Sequence, residues 1–390
     1  MTRPTRPTRP LEGVRVLEFG HVAAGPFAGM LLADLGADVV KVEGPDGDQM
    51  RAWPPLAEGP DGERFSHNFA SVNRNKRSVV ADLKDPADLA RVRELCRHAD
   101  VVVENYRPGV LARLGLGYDE LASDHRGLVV ASVSGFGQTG DYAGMGAYDV
   151  VIQAMSGMMS VSGTPEGELV KPGVPVADFA SGLYAALAVV AWLPRVRATG
   201  QSVHLDVPML DSLLAISALQ TSEYWGTGVD PVPLGTRHPR NAPYQVFRAA
   251  DGPFVLAAGN DKLWRHVCTV VGDPVLADDS RFAAQADRVA HQLELEKLLD
   301  DHFSTAPAAH WVDALRAAGV PAGPVNTFSQ VLADPVLHDS GLVRPYEVPV
   351  AGTSWTTVFP VRGGAEARLD RPAPRLGEQT DEVLAEWGAR

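Results

Sequence analysis

Residues 13–42 read GVRVLEFGHVAAGPFAGMLLADLGADVVKV, and this stretch decides the fold. Its first seven residues are a short apolar run with a β-branched bias, the pattern of a strand. Ala23-Ala24-Gly25-Pro26 then opens a helical pattern that lasts through Leu35. Residues 37–42 (ADVVKV) are a second strand. Working outward, residues 78–83 read as a third strand, 86–98 as a helix and 100–106 (DVVVENY) as a fourth strand. Residues 127–133 (GLVVASV) and 201–207 (QSVHLDV) read as two more strands, with an apolar helix over 185–193. Apolar runs buried on both faces and separated by helices predict an α/β fold with a doubly wound parallel sheet.

Ligands of such sheets bind outside the carboxyl ends of the strands. That places residues 20–26, 43–48, 104–108 and 135–142 on the candidate binding edge. No GxGxxG follows the first strand, so a nicotinamide-type site is not supported. Near residues 226–245 the composition turns to Pro, Gly and Arg, which reads as a linker. The expected organisation is a tail over 1–10, a large domain over 11–225, that linker, a smaller α+β domain over 246–327, and a returning segment over 328–390. A chain of 390 residues exceeds the size at which one core stops growing, which agrees with two domains.

The formal net charge of −13 repels nucleic acid and anionic membrane, so neither is an expected partner. Cys96 and Cys268 stand far apart with no ligand spacing around them, so no metal site is expected and a reducing, cytoplasmic setting is. The opening MTRPTRPTRP is basic but lacks a following apolar run, so it reads as a disordered tail and not a signal peptide. No stretch of about 18 apolar residues is seen, and no membrane span is expected.

For chemistry, residues 171–184 (KPGVPVADFASGLY) stand out as a Pro/Gly-rich loop that runs into an apolar helix. Asp178 sits at that start. One reading is a helix cap, with the side chain accepting a backbone N–H. The other is a carboxylate poised as a nucleophile at a helix N-terminus. Pattern alone does not separate them. Asp149 reads as a further cap for a helix that contains Gln153 and ends at Met155, or as an acid/base partner of Asp178. Asn75-Lys76-Arg77-Ser78 reads as a solvated basic turn, or, with Lys41, Lys84, Arg107 and Arg113, as an anion pocket.

A longer set of motifs resembles one family. They are Leu11-Glu12-Gly13-Val14-Arg15-Val16-Leu17-Glu18, His21-Val22-Ala23-Ala24-Gly25-Pro26 and Leu35-Gly36-Ala37-Asp38-Val39-Val40-Lys41-Val42-Glu43. Asn75-Lys76-Arg77-Ser78, Val103-Glu104-Asn105-Tyr106-Arg107-Pro108-Gly109 and Ser134-Gly135-Phe136-Gly137 follow. Gly319-Val320-Pro321-Ala322-Gly323-Pro324-Val325-Asn326 and Leu376-Gly377-Glu378-Gln379-Thr380 close the set. From Pro10 to Gly388 the chain resembles the family III CoA-transferases, whose members include formyl-CoA and carnitine CoA-transferases and the related α-methylacyl-CoA racemases.

The resemblance implies a large Rossmann-like domain, a smaller domain, and two chains threaded through one another as an interlocked homodimer. It implies that Asp178 is the nucleophile, forming an aspartyl mixed anhydride and then an aspartyl-CoA thioester. It implies coenzyme A contacts at Ala23, Ala24, Asp82, Lys84, Asn105, Tyr106, Arg113, Met145, Gly146, Ala147 and Tyr148. Coenzyme A is then a substrate, and no cofactor is permanently bound. The racemases place histidine where this chain has Tyr148, and a phenol is a poor base near neutral pH, so transfer is favoured over racemisation. A silent CoA-binding protein is the third reading. Formyl-CoA transferase has glutamine at the place of Ala23, an arginine near Gly44, and a glycine run where residues 235–244 here read GTRHPRNAPY. The stretch from there to Asn260 looks more like the branch that uses succinyl-CoA and dicarboxylates such as hydroxymethylglutarate, malate or citramalate. Arg237, His238 or Arg240 is expected to hold the distal carboxylate of such an acid.

Overall fold

The structure, a computed structural model, describes residues 9–363 and 369–389. Most of the tail assigned to residues 1–10 lies outside the described residues. Arg9, which is described, forms an ion pair with Asp370.

Six parallel strands form the central sheet: β1 (Arg15–Phe19), β2 (Asp38–Glu43), β3 (Lys76–Val80), β4 (Val101–Glu104), β5 (Val129–Ser134) and β6 (Val203–Pro208). Their order across the sheet is β3-β2-β1-β4-β5-β6. Pairing is in register, with Val16 beside Val39 and Leu17 beside Val102. Alternate residues face opposite layers. Val16, Val39, Val103 and Ala131 pack on one face with Ala28, Leu32, Ala185 and Val189. Leu17, Val40, Val102 and Val130 pack on the other with Val92, Leu95, Leu121 and Trp387. Both faces are covered, which is why the strands read as unbroken apolar runs.

Three helices matter for the site: α1 (Ala24–Asp34), α2 (Asp149–Met155) and α3 (Val176–Thr199). By length and composition α3 is apolar enough to cross a membrane, with an 18-residue window of mean hydropathy 1.7. The sequence reading gave only 185–193 as apolar helix because Asp178, Ser181 and Gly182 interrupt the run ahead of it. Ala185, Val189 and Leu193 of α3 are buried in the sheet's core. Gly182 permits close packing at its start: a Cβ there would lie 2.8 Å from the Ala24 carbonyl oxygen.

The third strand begins at Lys76, ahead of its expected start at Ser78. Lys76 and Arg77 are not a solvated turn; both are buried. Lys76 Nζ lies 2.7 Å from Glu18 and donates to Pro26 O and Asn73. Arg77 is held by Asp38, Glu382 and Glu386. Farther on, where the sequence reads as irregular, Val343–Val348 and Gly352–Thr357 pair as an antiparallel ribbon.

Contacts divide the chain into two compact units. The second comprises Ser160–Val170 and Pro231–Asp334. It holds an antiparallel sheet of β7 (Tyr244–Ala249), β8 (Gly252–Ala257) and β9 (Ala322–Pro324), in the order β9-β8-β7. Phe247, Phe254, Phe303, Trp264 and Trp311 fill its core.

Candidate active site

The strand order reverses between β1 and β4, and the crevice at such a point is where open parallel sheets bind ligands. The turn after β1 carries His21-Val22-Ala23. It is built on buried charge. Lys41 Nζ on β2 lies 3.0 Å from Glu18 Oε1 and 3.0 Å from Asp48 Oδ2, and all three side chains are fully buried. It also donates to the Gly20 carbonyl at 2.5 Å. Burial opposes the charge on Lys41, but Glu18 and Asp48 outweigh it and push its pKa up. Burial likewise opposes ionisation of Asp48, yet Lys41 and backbone N–H donors hold its carboxyl below the usual range. Asp48 in turn accepts the Val22 N–H with both oxygens at 3.2 Å. Val22 sits at φ 63, a left-handed conformation that a β-branched residue adopts only under constraint.

Asn105, just after β4, clamps the same turn. Its Oδ1 accepts the His21 N–H at 2.8 Å and its Nδ2 donates to His21 O at 2.9 Å. His21 Nε2 lies 3.1 Å from the Tyr106 hydroxyl. Burial, then Lys41, lowers the His21 pKa and so favours the neutral ring. No side chain caps α1 where it leaves this turn.

Asp178 occupies the third position of α3, and Pro175 is the N-cap, without a side-chain capping bond. The helix-cap reading of Asp178 is therefore corrected. The Ala177 N–H is taken instead by Asp149 Oδ1 at 2.8 Å. Asp149 does not cap its own helix, whose N-cap is Tyr148. Its Oδ2 accepts Gln153 Nε2 at 2.6 Å. The Asp178 carboxylate has no hydrogen bond among the described residues. Burial, then the Asp149 charge, pushes its pKa up to about 7.

These pieces surround a cavity of about 260 Å³ in the first unit. His21, Ala23, Ala24, Asn105, Tyr106, Arg107, Met145, Gly146, Ala147, Tyr148 and Asp178 line it. Gly135 lets the residue 145–148 loop close in, since a Cβ there would lie 2.2 Å from Ala147 Cβ. A carboxylate without a hydrogen-bond partner among the described residues thus lines a crevice at the strand-order reversal, beside the start of α1, which has no side-chain cap.

Residues 11–380 match the family described as CoA-transferase family III. The chain belongs to that family. It is 42% identical over 385 residues to a succinate–glutarate CoA-transferase of Agrobacterium fabrum, covering 97% of this chain and 95% of the relative. It is 39% identical over 393 residues to an acetyl-CoA:oxalate CoA-transferase of Acetobacter aceti, covering 100% and 98%. A solved CaiB/BaiF family protein from Brucella suis superposes at a TM-score of 0.88 with 38% identity, covering 98% of this chain and 100% of that one.

Nine of the residues expected at the site of this family III CoA-transferase meet in one cavity: Ala23, Ala24, Asn105, Tyr106, Met145, Gly146, Ala147, Tyr148 and Asp178. Asp82, Lys84 and Arg113 do not line it. Asp82 and Lys84 lie just past β3 on the same edge of the sheet, where Asp82 Oδ1 accepts the Lys84 N–H at 3.0 Å. Arg113 ends a short helix, Val110–Arg113. Arg237, His238 and Arg240 belong to the second unit. There Arg237 pairs with Glu296 at 3.1 Å, and His238 Nδ1 accepts the Arg240 N–H at 3.0 Å. Burial, then Arg240, lowers the His238 pKa. The anion pocket drawn from Lys41, Lys84, Arg107 and Arg113 is not formed as such, because Lys41 is consumed in the buried network. Arg107 alone of these lines the cavity, and its guanidinium has no hydrogen bond or ion pair among the described residues. His21, Gln49 and Met209 also line the cavity and were not singled out by sequence.

Proposed function

We propose that this family III CoA-transferase moves coenzyme A from succinyl-CoA or a similar acyl-CoA to a dicarboxylic acid, through Asp178. The observation that carries the reading is the Asp178 carboxylate, without a hydrogen-bond partner among the described residues, in the cavity at the strand-order reversal. The Asp178 oxygen attacks the thioester carbonyl, and CoA thiolate leaves to give a mixed anhydride. The thiolate then attacks the aspartyl carbonyl and releases the donor's carboxylate, which leaves an aspartyl-CoA thioester. The acceptor carboxylate attacks that thioester and frees the thiolate again. The thiolate finally takes the acceptor's acyl group and restores the Asp178 carboxylate. Each oxyanion needs N–H donors, and the uncapped start of α1 at Ala23 and Ala24 offers them. Tyr148, rather than a histidine, beside Asp178 supports transfer over proton exchange at the α-carbon.

The cavity is the size of a thioester end and not of a whole coenzyme A. Its nucleotide end extends along the sheet edge towards Asp82, Lys84 and Arg113. Arg107, with an unused guanidinium, grips an anionic group next to the nucleophile. Arg237, His238 and Arg240 remain proposed contacts for the distal carboxylate. Relatives named for glutarate and for oxalate both act on diacids, which supports a dicarboxylate acceptor. The working form is a homodimer of interlocked chains, in the cytoplasm. Supporting this, Leu187 of α3 is 64% exposed and Trp225 79% exposed, an apolar surface that a second chain would cover. The two described cysteines are buried and unpaired, as a reducing compartment favours.

The test is a matrix of acyl-CoA donors and carboxylic acids scored by CoA exchange. Succinyl-CoA with diacids of glutarate size is expected to give the highest rates. Exchange confined to monocarboxylic acceptors would overturn the substrate class.

A further inference from the structure

We propose that Asp149 is a positioning residue for Asp178: it takes the Ala177 N–H in the first turn of α3, so that amide does not engage the oxygens of Asp178, and it sets a second negative charge beside them. The inference rests on the reading of Asp178 as the nucleophile and adds to it the device that keeps this carboxylate reactive.

A carboxylate in the first turn of a helix can accept one of the free N–H groups there; Pro175, the N-cap of α3, has none to offer. Such bonds stabilise the anion and weaken it as a nucleophile. Here the Ala177 N–H donates to Asp149 Oδ1 at 2.8 Å, so that partner is already taken. Asp149 is itself fixed by Gln153, one turn on in α2, whose Nε2 donates to Oδ2 at 2.6 Å. Gln153 is fully buried. The cap of α3 thus comes from a different helix, and the residue in its first turn is left unbonded.

The titratable and charged groups that line the cavity with Asp178 come from every element around it. They are His21 before α1, Tyr106 and Arg107 after β4, and Tyr148 before α2. Burial, then Lys41, favours the neutral form of His21. After burial, the charge that acts on Asp178 is that of Asp149, and together they hold its carboxyl near 7. Higher proton affinity also means stronger nucleophilicity once ionised.

Asp149→Asn removes the charge and keeps the shape. The asparagine Oδ1 still accepts the Ala177 N–H. Its Nδ2 faces Gln153, whose amide can turn to present Oε1, an atom that is buried and without a partner. The full-length protein is assayed for CoA exchange across pH, with the Asp178 adduct followed by peptide mass mapping. In Asp149→Asn the acid limb of the rate is expected to move down by on the order of one pH unit, with a several-fold lower plateau. An unshifted limb, with unfolding like that of the wild type, overturns the proposal. If the variant fails to fold, Gln153→Leu, which frees Asp149 from the amide that fixes it, is assayed in its place: a shifted acid limb supports the proposal, and an unshifted one overturns it. Absence of any adduct on wild-type Asp178 sinks the nucleophile reading itself, a different result from an adduct whose pH dependence ignores residue 149.

Discussion

Lys41→Met tests how the His21–Ala24 turn, which lines the cavity with Asp178, is held. Methionine keeps most of the length of lysine, being one atom shorter, and removes the charge. Glu18 retains Lys76 at 2.7 Å, but Asp48 loses the ammonium 3.0 Å away. Both side chains of that broken pair are fully buried. Breaking a buried pair from one side costs about 3–5 kcal/mol, because the remaining charge is stranded. The nearby Lys76 and the Val22 and Met50 N–H donors soften this for Asp48, so a loss of about 3 kcal/mol is expected. Asp48 also secures the left-handed Val22, a conformation whose strain is of the order of 1–3 kcal/mol. Freed from that hold, the His21–Ala24 turn shifts, and a displacement of about 1 Å costs roughly a hundredfold in rate. Urea unfolding at fixed protein concentration and steady-state CoA exchange measure the two effects. A stability loss below about 1 kcal/mol with full activity would refute the reasoning.

Other outcomes follow from single contacts. Gly182→Ala puts a Cβ 2.8 Å from Ala24 O. Overpacking of about 1–3 kcal/mol is partly offset by about 1 kcal/mol of helix propensity, so the unfolding midpoint should move little while kcat/KM falls roughly tenfold or more. Unchanged kcat/KM would show that the spacing of α1 and α3 is not critical. Arg107→Ala should raise KM for an anionic substrate about tenfold or more with a smaller change in kcat, and Arg107→Lys should restore only part of it, since a lysine lacks the fork. Equal kinetics in all three proteins would remove Arg107 from the site. Burial raises the Glu104 carboxyl to about 7, so its folded form binds a proton more tightly than its unfolded form. Its share of stability is greatest in acid and is lost as pH rises from the ordinary glutamate range to about 7. Glu104→Gln should therefore add roughly 1–3 kcal/mol near pH 8 and little near pH 4; an equal effect at both would contradict the burial argument.

The sheet was legible because its strands are Val-rich runs covered on both faces. The start of β3 was not, because Lys76 and Arg77 look solvated until their partners arrive. Those partners, Glu18, Asp38, Glu382 and Glu386, lie far away in the chain. Asp178 was visible as a carboxylate at a helix start, yet local pattern left both a cap and a nucleophile open. The residue that makes the capping bond, Asp149, comes from another helix, and no spacing rule within α3 reveals it. Arg107 stood in a quoted motif among other cations. What distinguishes it is that Lys41 and Arg77 are bound internally while its own guanidinium is not. Gly135 and Gly182 were read only as motif and composition, since the close approaches they permit arise from tertiary packing.

The central claim is that Asp178 carries the acyl group and then coenzyme A. Wild-type protein and Asp178→Ala would be mixed with succinyl-CoA without acceptor, treated with hydroxylamine or borohydride, digested and mapped by mass. The account predicts a hydroxamate or a reduced side chain at Asp178 in the wild type and none in the variant, which also loses CoA exchange. An unmodified Asp178 in a protein that still exchanges coenzyme A, or exchange that survives in Asp178→Ala, would contradict it.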